Sequence, residues 1–517
     1  MVAALVLTAV EFPAMYVRQI EMDPVPFAII VARNAVLVAA FVLAVVRIWR
    51  LRSESLPAVD PDNAASAVAP TGESLSSDSD GAGGDGAPPV AGVDGALQAL
   101  GPTAVARPRG VRPSRAALWA TAAFVAGRAV TFAAGLAAWS GKARPPSGGR
   151  WSGVDPSYLV SGPLGRLFDP WIAWDGSWYA TIARHGYQDP QSAAFLPAYS
   201  YLLRAASAVT GSVAVAGVLV SLVCAAIAMV IVYRMTAARF REQTAAWTVA
   251  FISLCPASLY FGVVYSESLL LLLVVGSLSL AERRMWVGAC VVGALAALTR
   301  NIGVLVCLPL LFVYAEQRGW SWKRVHFMWP DDARLAWLAV VPAGLALYMA
   351  KLWSRFGDPF AFLTVQDAWG RSLTLPPLTV WRAVGQFGHA VHSTVQHWPV
   401  TRAWMGPGGD GQWMYAMVLL PFVAFVAAVT VLAASWRRLP AAYNVWALVV
   451  VLVPLFSPAR NQALLSYPRF LLVGFPLFIG AALLTARMPL VRWTLLGASV
   501  LLLAWLSASF ALFSWVS

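Results

Sequence analysis

Between two long apolar segments the chain reads Phe168-Asp169-Pro170-Trp171-Ile172-Ala173-Trp174-Asp175-Gly176-Ser177-Trp178-Tyr179. Asp169 and Asp175 could each take a proton from a hydroxyl group, and the aromatic rings around them suit the faces of a polyhydroxylated ring. This spacing suits a site that holds a sugar-like substrate beside an apolar phase and deprotonates it.

Three more short polar clusters interrupt apolar sequence: Tyr265-Ser266-Glu267, Thr299-Arg300-Asn301 and Ser466-Tyr467-Pro468-Arg469. Residues 353–412 add Asp358, Gln366, Asp367, Arg371 and several Trp. Guanidinium groups bind phosphate through a planar fork of donors, so carboxylates and arginines together suit a phosphate-bearing substrate and a polar acceptor. Each cluster also has a plainer role. Asp175 could cap the helix that begins near Gly176. Glu267 could favour the positive end of the apolar helix it opens. Arg469 could reach along a membrane interface. Trp171, Trp174 and Trp178 fit an interfacial aromatic belt better than a sugar platform. The five His residues show no metal-ligand spacing, and His185 reads as a surface loop residue.

The chain that must position these groups is 59% hydrophobic and 12% charged over 517 residues. A soluble chain of this length carries about twice that charge. Apolar runs recur over 116–139, 212–233, 244–260, 265–281, 285–299, 301–315, 335–352, 413–435, 441–456, 469–485 and 490–513, the pattern of an all-α polytopic membrane protein. Basic residues set the register of these segments. If the segment at 116 enters from the cytoplasm, the short loops holding Arg234/Arg239/Arg241, Arg283/Arg284, Arg318/Lys323/Arg324, Arg437/Arg438 and Arg487/Arg492 all fall on that side. The polar clusters then fall together on the other.

This parity requires a break in the apolar run 285–315. A single helix there would invert every later segment. Two arms meeting at Thr299-Arg300-Asn301 preserve it, each about 21 Å long against a ~30 Å hydrocarbon core. Arg300 would then lie below the outer surface, where a charge is tolerated only if buried in protein or facing a cavity.

Three features stand apart. Residues 27–47 could form an N-terminal membrane helix within 1–52, and 53–114 is a linker rich in Ala, Gly, Ser, Pro and Asp whose composition predicts disorder. Cys224, Cys255, Cys290 and Cys307 all lie in apolar segments, so neither a disulfide framework nor a zinc site is expected. The net charge of +13 comes from arginines that punctuate apolar segments, which argues against nucleic-acid binding.

In chain order, WDGSWYATIARHGY, AAFLPAYSYLLR, SLYFGVVYSESLLLLL, ALAALTRNIGVLV, FGDPFAFLTVQDAWG and SYPRFLLVGFPLF resemble the PIG-V-like mannosyltransferases of bacterial, actinobacterial type, within the GT-C glycosyltransferases. The resemblance covers roughly residues 116–490. It implies a GT-C-type fold over 115–517 with about 11–12 transmembrane helices and a large first extracytoplasmic loop carrying the catalytic carboxylate. It implies a polyprenyl-phosphate-mannose donor, a glycolipid or glycan acceptor, and membrane lipid as the surroundings. The family's Trp-Asp pair falls on Trp174-Asp175, making Asp175 the candidate base, with Asp169 as a second catalytic carboxylate. Tyr265, Glu267, Arg300 and Arg469 follow as substrate-binding residues with Trp174. The family's Phe-Phe-Pro-Leu-Tyr-Pro-like stretch departs here, reading Phe195-Leu196-Pro197-Ala198-Tyr199-Ser200.

The reaction so implied inverts the anomeric carbon. Asp175 deprotonates the acceptor as it attacks, and Arg300 and Arg469 stabilise a phosphate that is already a good leaving group. A glycosidase's paired acid and base are not needed. Nothing resembles a nucleotide-binding Rossmann domain, and no cofactor is expected. Asp169 and Asp175 could share a divalent ion, though the chemistry does not call for one. A glycolipid transporter or flippase would also combine buried charges with many helices, but no internal repeat is evident. Another polyprenyl-phosphate sugar, or a protein acceptor, fits the same residues.

Overall fold

The computed structural model describes residues 114–139, 155–160, 162–319, 333–396 and 415–513. The candidate N-terminal helix and all but the last residue of the linker lie outside the described residues. Every apolar segment read from the sequence contains a helix. Among the described residues, five helical stretches are long and apolar enough to cross a membrane: Arg115–Trp139, Val213–Arg239, Leu335–Phe356, Met417–Ser435 and Pro489–Ala511. Shorter apolar helices fill the spaces between them.

The helices that build the site are α1 (Arg115–Trp139), α2 (Asp175–His185), α3 (Val213–Arg239), α4 (Glu242–Leu254), α5 (Glu267–Glu282) and α6 (Trp286–Thr299). They are followed by α7 (Cys307–Gln317), α8 (Val340–Phe356), α9 (Pro376–Gln396), α10 (Ala441–Leu452), α11 (Tyr467–Leu471) and α12 (Pro489–Ala511).

Proline and glycine create the interruptions that matter. Helix α4 stops at Leu254, and Pro256 opens a tight 3₁₀ turn over Pro256–Phe261 before α5 begins. Between α6 and α7 the chain is extended at Arg300 and then forms a 3₁₀ turn over Asn301–Val306. The two-arm reading of 285–315 is therefore the observed one. Gly303 makes the break compact, because a Cβ there would stand 2.0 Å from the Ala296 carbonyl oxygen.

Helix α5 gives the bundle its polarity. At one end is Glu267 and at the other Glu282, 16 residues spanning about 24 Å. Glu282 accepts from Arg239 at 3.0 Å and from the Tyr443 hydroxyl at 2.9 Å, so the basic loop after α3 meets the start of α10 at that end. The polar clusters gather at the opposite end.

Trp171 corrects one expectation. It is 1% exposed, wedged between Phe132 and Phe510, and its indole donates to the Leu167 carbonyl at 2.8 Å. It is a core anchor for the site loop, not part of an interfacial belt. Gly135 of α1 leaves room for its ring, since a Cβ there would lie 2.4 Å from it.

Candidate active site

Asp175 and Glu267 are both the first residue of a helix, where the macrodipole favours negative charge. The turn that delivers Asp175 is strained: Trp174 has φ 60° and ψ −122°, a conformation that costs a bulky residue about 1–3 kcal/mol. Neighbouring contacts hold it there. Ser177 donates to the Trp174 carbonyl from its backbone at 3.0 Å and its hydroxyl at 2.8 Å, and Val264 N–H donates to the Trp171 carbonyl at 3.0 Å. The Asp175 N–H donates to the Tyr265 hydroxyl at 3.3 Å.

Asp175 does not spend its carboxylate on capping. Arg469 Nη1 meets Asp175 Oδ2 at 2.7 Å. The same guanidinium forms an ion pair with Glu267 Oε1 through Nε, and Arg300 Nη1 donates to that oxygen. Glu267 is 1% exposed and sits behind both arginines, so it fixes their positions without reaching the open space. Aromatic faces complete the cradle. Arg469 lies 4.9 Å from the Tyr265 ring centroid and 5.7 Å from that of Tyr260, while Arg300 lies 5.1 Å from Phe470.

These groups border a cavity of about 250 Å³. Asp175, Arg300, Arg371 and Arg469 form its charged wall; Phe195, Phe362 and Trp369 face it with aromatic and apolar surface. The volume is below the ~300–1,000 Å³ of sites for drug-sized ligands. Tyr179 also lines it. Burial, opposed by the Arg300 charge and helped by the Glu267 and Asp175 charges, pushes the Tyr179 hydroxyl up to about 12, so it stays protonated beside Ser266 at 2.8 Å.

Arg371 is the residue that the sequence named in its loop but did not place in the site. Its guanidinium donates to the Ser457 carbonyl at 2.8 Å and the Leu465 carbonyl at 3.3 Å. Burial and then the Arg469 and Arg300 charges push it down to about 10. Its backbone pairs with Ala459, and Ser372 N–H donates to the Pro458 carbonyl at 3.2 Å, which ties its loop to the one before α11. Its position directly after the matched stretch ending Trp369-Gly370 was the available clue.

Of the residues singled out from sequence, Asp175, Tyr265, Glu267, Arg300 and Arg469 converge here. Asp169 does not join them. It is 5% exposed, accepts from the Val160 N–H at 2.8 Å, and does not line the cavity. Trp174 contributes the strained backbone rather than cavity wall. No group of three or more His, Cys, Asp or Glu side chains among the described residues is arranged to hold a metal.

Part of the site falls within a stretch that a known family model matches. Residues 150–318 match the family model described as mannosyltransferase (PIG-V). The matched stretch makes up about a third of the chain. It carries Asp175, Tyr265, Glu267 and Arg300, whereas Arg371 and Arg469 come from later sequence. No curated protein matches the chain. Among solved structures, it is similar to the Archaeoglobus fulgidus oligosaccharyltransferase in complex with Zn and sulfate, at 15% identity and a TM-score of 0.41, over 77% of this chain and 53% of that one. The chain thus spans about half the length of that relative. ArnT from Cupriavidus metallidurans bound to undecaprenyl phosphate is similar at 13% identity and a TM-score of 0.32, over 76% of this chain and 78% of that one.

Proposed function

We propose that this PIG-V-family protein is a membrane mannosyltransferase that moves mannose, with inversion, from a polyprenyl-phosphate-mannose donor to a hydroxyl of a glycolipid or glycan acceptor on the extracytoplasmic side of the cell membrane. One observation carries the reading: three guanidinium groups line a cavity beside membrane helices against two carboxylates, Asp175 on the wall and Glu267 behind it, an excess of one positive charge. A phosphodiester donor brings one negative charge and neutralises that excess. Asp175, on the cavity wall, accepts the proton of the attacking hydroxyl. The arginines stabilise the phosphate as it leaves. Trp369, Phe195 and Phe362 supply apolar faces against which a sugar ring can lie. The donor's lipid remains in the bilayer, so the enzyme needs to hold only the phosphate and the sugar.

The test uses membranes containing the protein, supplied with polyprenyl-phosphomannose labelled in the sugar. Transfer of label to a lipid or glycan fraction, absent with Asp175→Asn, is the expected result. No transfer from this donor, but transfer from a polyprenyl-phosphate carrying another sugar, would replace mannose with that sugar. No transfer from any such donor would overturn the reading.

A further inference from the structure

The three arginines are not equivalent. Arg300 and Arg469 are committed to carboxylates, whereas Arg371 bonds only backbone carbonyls and has no carboxylate partner among the described residues. Arg469 is the one arginine bonded to both carboxylates. Its Nε is anchored on Glu267, and its Nη1 rests on Asp175 at 2.7 Å.

Resting on the donor assignment above, we propose that Arg371 holds the donor's standing negative charge, while Arg469 serves the charge that appears during transfer. In the reacting complex the acceptor O–H bond breaks and its proton goes to Asp175. The acceptor oxygen forms a bond to the anomeric carbon. The bond from that carbon to the phosphate oxygen breaks, and its electron pair stays on the phosphate. Asp175 thus loses a negative charge as the phosphate gains one, and the total charge in the cavity does not change. Arg469 is bonded to the group that becomes neutral. Pivoting about its Glu267 anchor, its Nη1 turns from Asp175 to the phosphate as the proton arrives. Before transfer Asp175 retains that N–H, so the interaction grows between ground and transition state, the kind that raises kcat. Arg371 already faces the cavity with no carboxylate among the described residues at ion-pair distance, so its contribution is to donor binding.

The two roles separate in steady-state kinetics on the purified full-length protein, using polyprenyl-phosphomannose as donor and octyl α-mannoside as acceptor. Arg371→Gln is expected to raise the donor KM about tenfold or more with kcat kept within about threefold. Arg469→Lys keeps the charge but loses the planar fork that spans Glu267 and Asp175, and is expected to lower kcat about a hundredfold with the donor KM kept within about threefold. A fall in kcat alone for Arg371→Gln, or a rise in KM alone for Arg469→Lys, would overturn the division.

A binding measurement covers the case in which Arg469→Lys does not accumulate. Dodecyl methyl phosphate carries one charge and cannot transfer a sugar. Asp175→Asn releases Arg469 in the ground state, so it should bind this probe about tenfold more tightly than wild type, and the gain should vanish in Asp175→Asn, Arg469→Gln. A gain that persists in the double variant would trace it to the lost carboxylate charge alone and overturn the role of Arg469. If wild type neither uses the donor nor binds the probe, the donor assignment itself fails.

Discussion

Glu267 Oε1 accepts from Arg300 and is ion-paired with Arg469, so one buried oxygen holds together two arginines that lie 169 positions apart in the chain. It opens α5, the helix whose far end carries the Glu282 network. The carboxylate that looked like a substrate ligand in the sequence stands behind Arg300 and Arg469, off the cavity wall, and aims them.

Glu267→Gln keeps the shape of that hub and removes its charge. Two buried guanidinium groups would then share a neutral amide, and breaking a buried ion pair from one side typically costs about 3–5 kcal/mol. A clear fall in melting temperature in detergent is expected, together with loss of transfer. A variant as stable as wild type would show that the two arginines find other partners.

The two aspartates are expected to separate by phenotype. Removing a general base costs on the order of 10²–10⁴ in rate, so Asp175→Asn should lose kcat while folding normally. Asp169→Asn replaces a charged acceptor of the Val160 N–H with a neutral one. It should cost about 1–2 kcal/mol of stability and leave kcat largely intact at low temperature. A dead but stable Asp169→Asn would move the base to Asp169.

Arg371 should trade stability for function. Its guanidinium is pushed down to about 10, so folding disfavours its charged form. That penalty is present below pH 10 and disappears as pH rises from there towards the ordinary arginine value. Arg371→Gln should therefore raise the stability of the ligand-free protein by about 1 kcal/mol at pH 7–8, allowing for screening at its exposed edge. The gain should diminish above pH 10. A melting temperature that falls instead would mean that its bonds to Ser457 and Leu465 outweigh the burial of its charge.

Arg128 anchors the other side of the site. It is 7% exposed in the middle of α1 and donates to the Ser258 carbonyl at 2.6 Å, the Ser253 carbonyl at 3.2 Å and the Ser258 hydroxyl at 3.0 Å. It thereby satisfies carbonyls freed where α4 ends, and fixes the turn leading to Tyr260 and Tyr265. Arg128→Lys can replace only part of this set. It should lower the melting temperature by several degrees and slow transfer without a large change in donor KM. A donor KM raised tenfold at unchanged stability would place Arg128 in contact with substrate.

What the sequence determined by itself was the all-α framework and the polar clusters that interrupt it. Both follow from rules that act locally. A bilayer demands long apolar helices because backbone groups must be satisfied within each segment, and positive charge sorts the short loops. The break at Arg300 was legible for the same reason, since only a break keeps the basic loops in register. The composition of the site was partly legible too, because Asp175, Tyr265, Glu267, Arg300 and Arg469 all interrupt apolar sequence, where a polar residue is costly. Their division of labour was not. Asp169 and Asp175 are six positions apart on one loop, yet one bonds a backbone N–H and the other faces the cavity. Glu267 and Arg371 exchange the expected prominence, the first buried as a hub and the second exposed to the cavity without a carboxylate. Those differences depend on which side chains meet across hundreds of residues of chain, and local pattern carries no record of them. Only the packing of α2, α5, the Arg300 break and α11 around one space decided which charge is paired and which remains to meet a ligand.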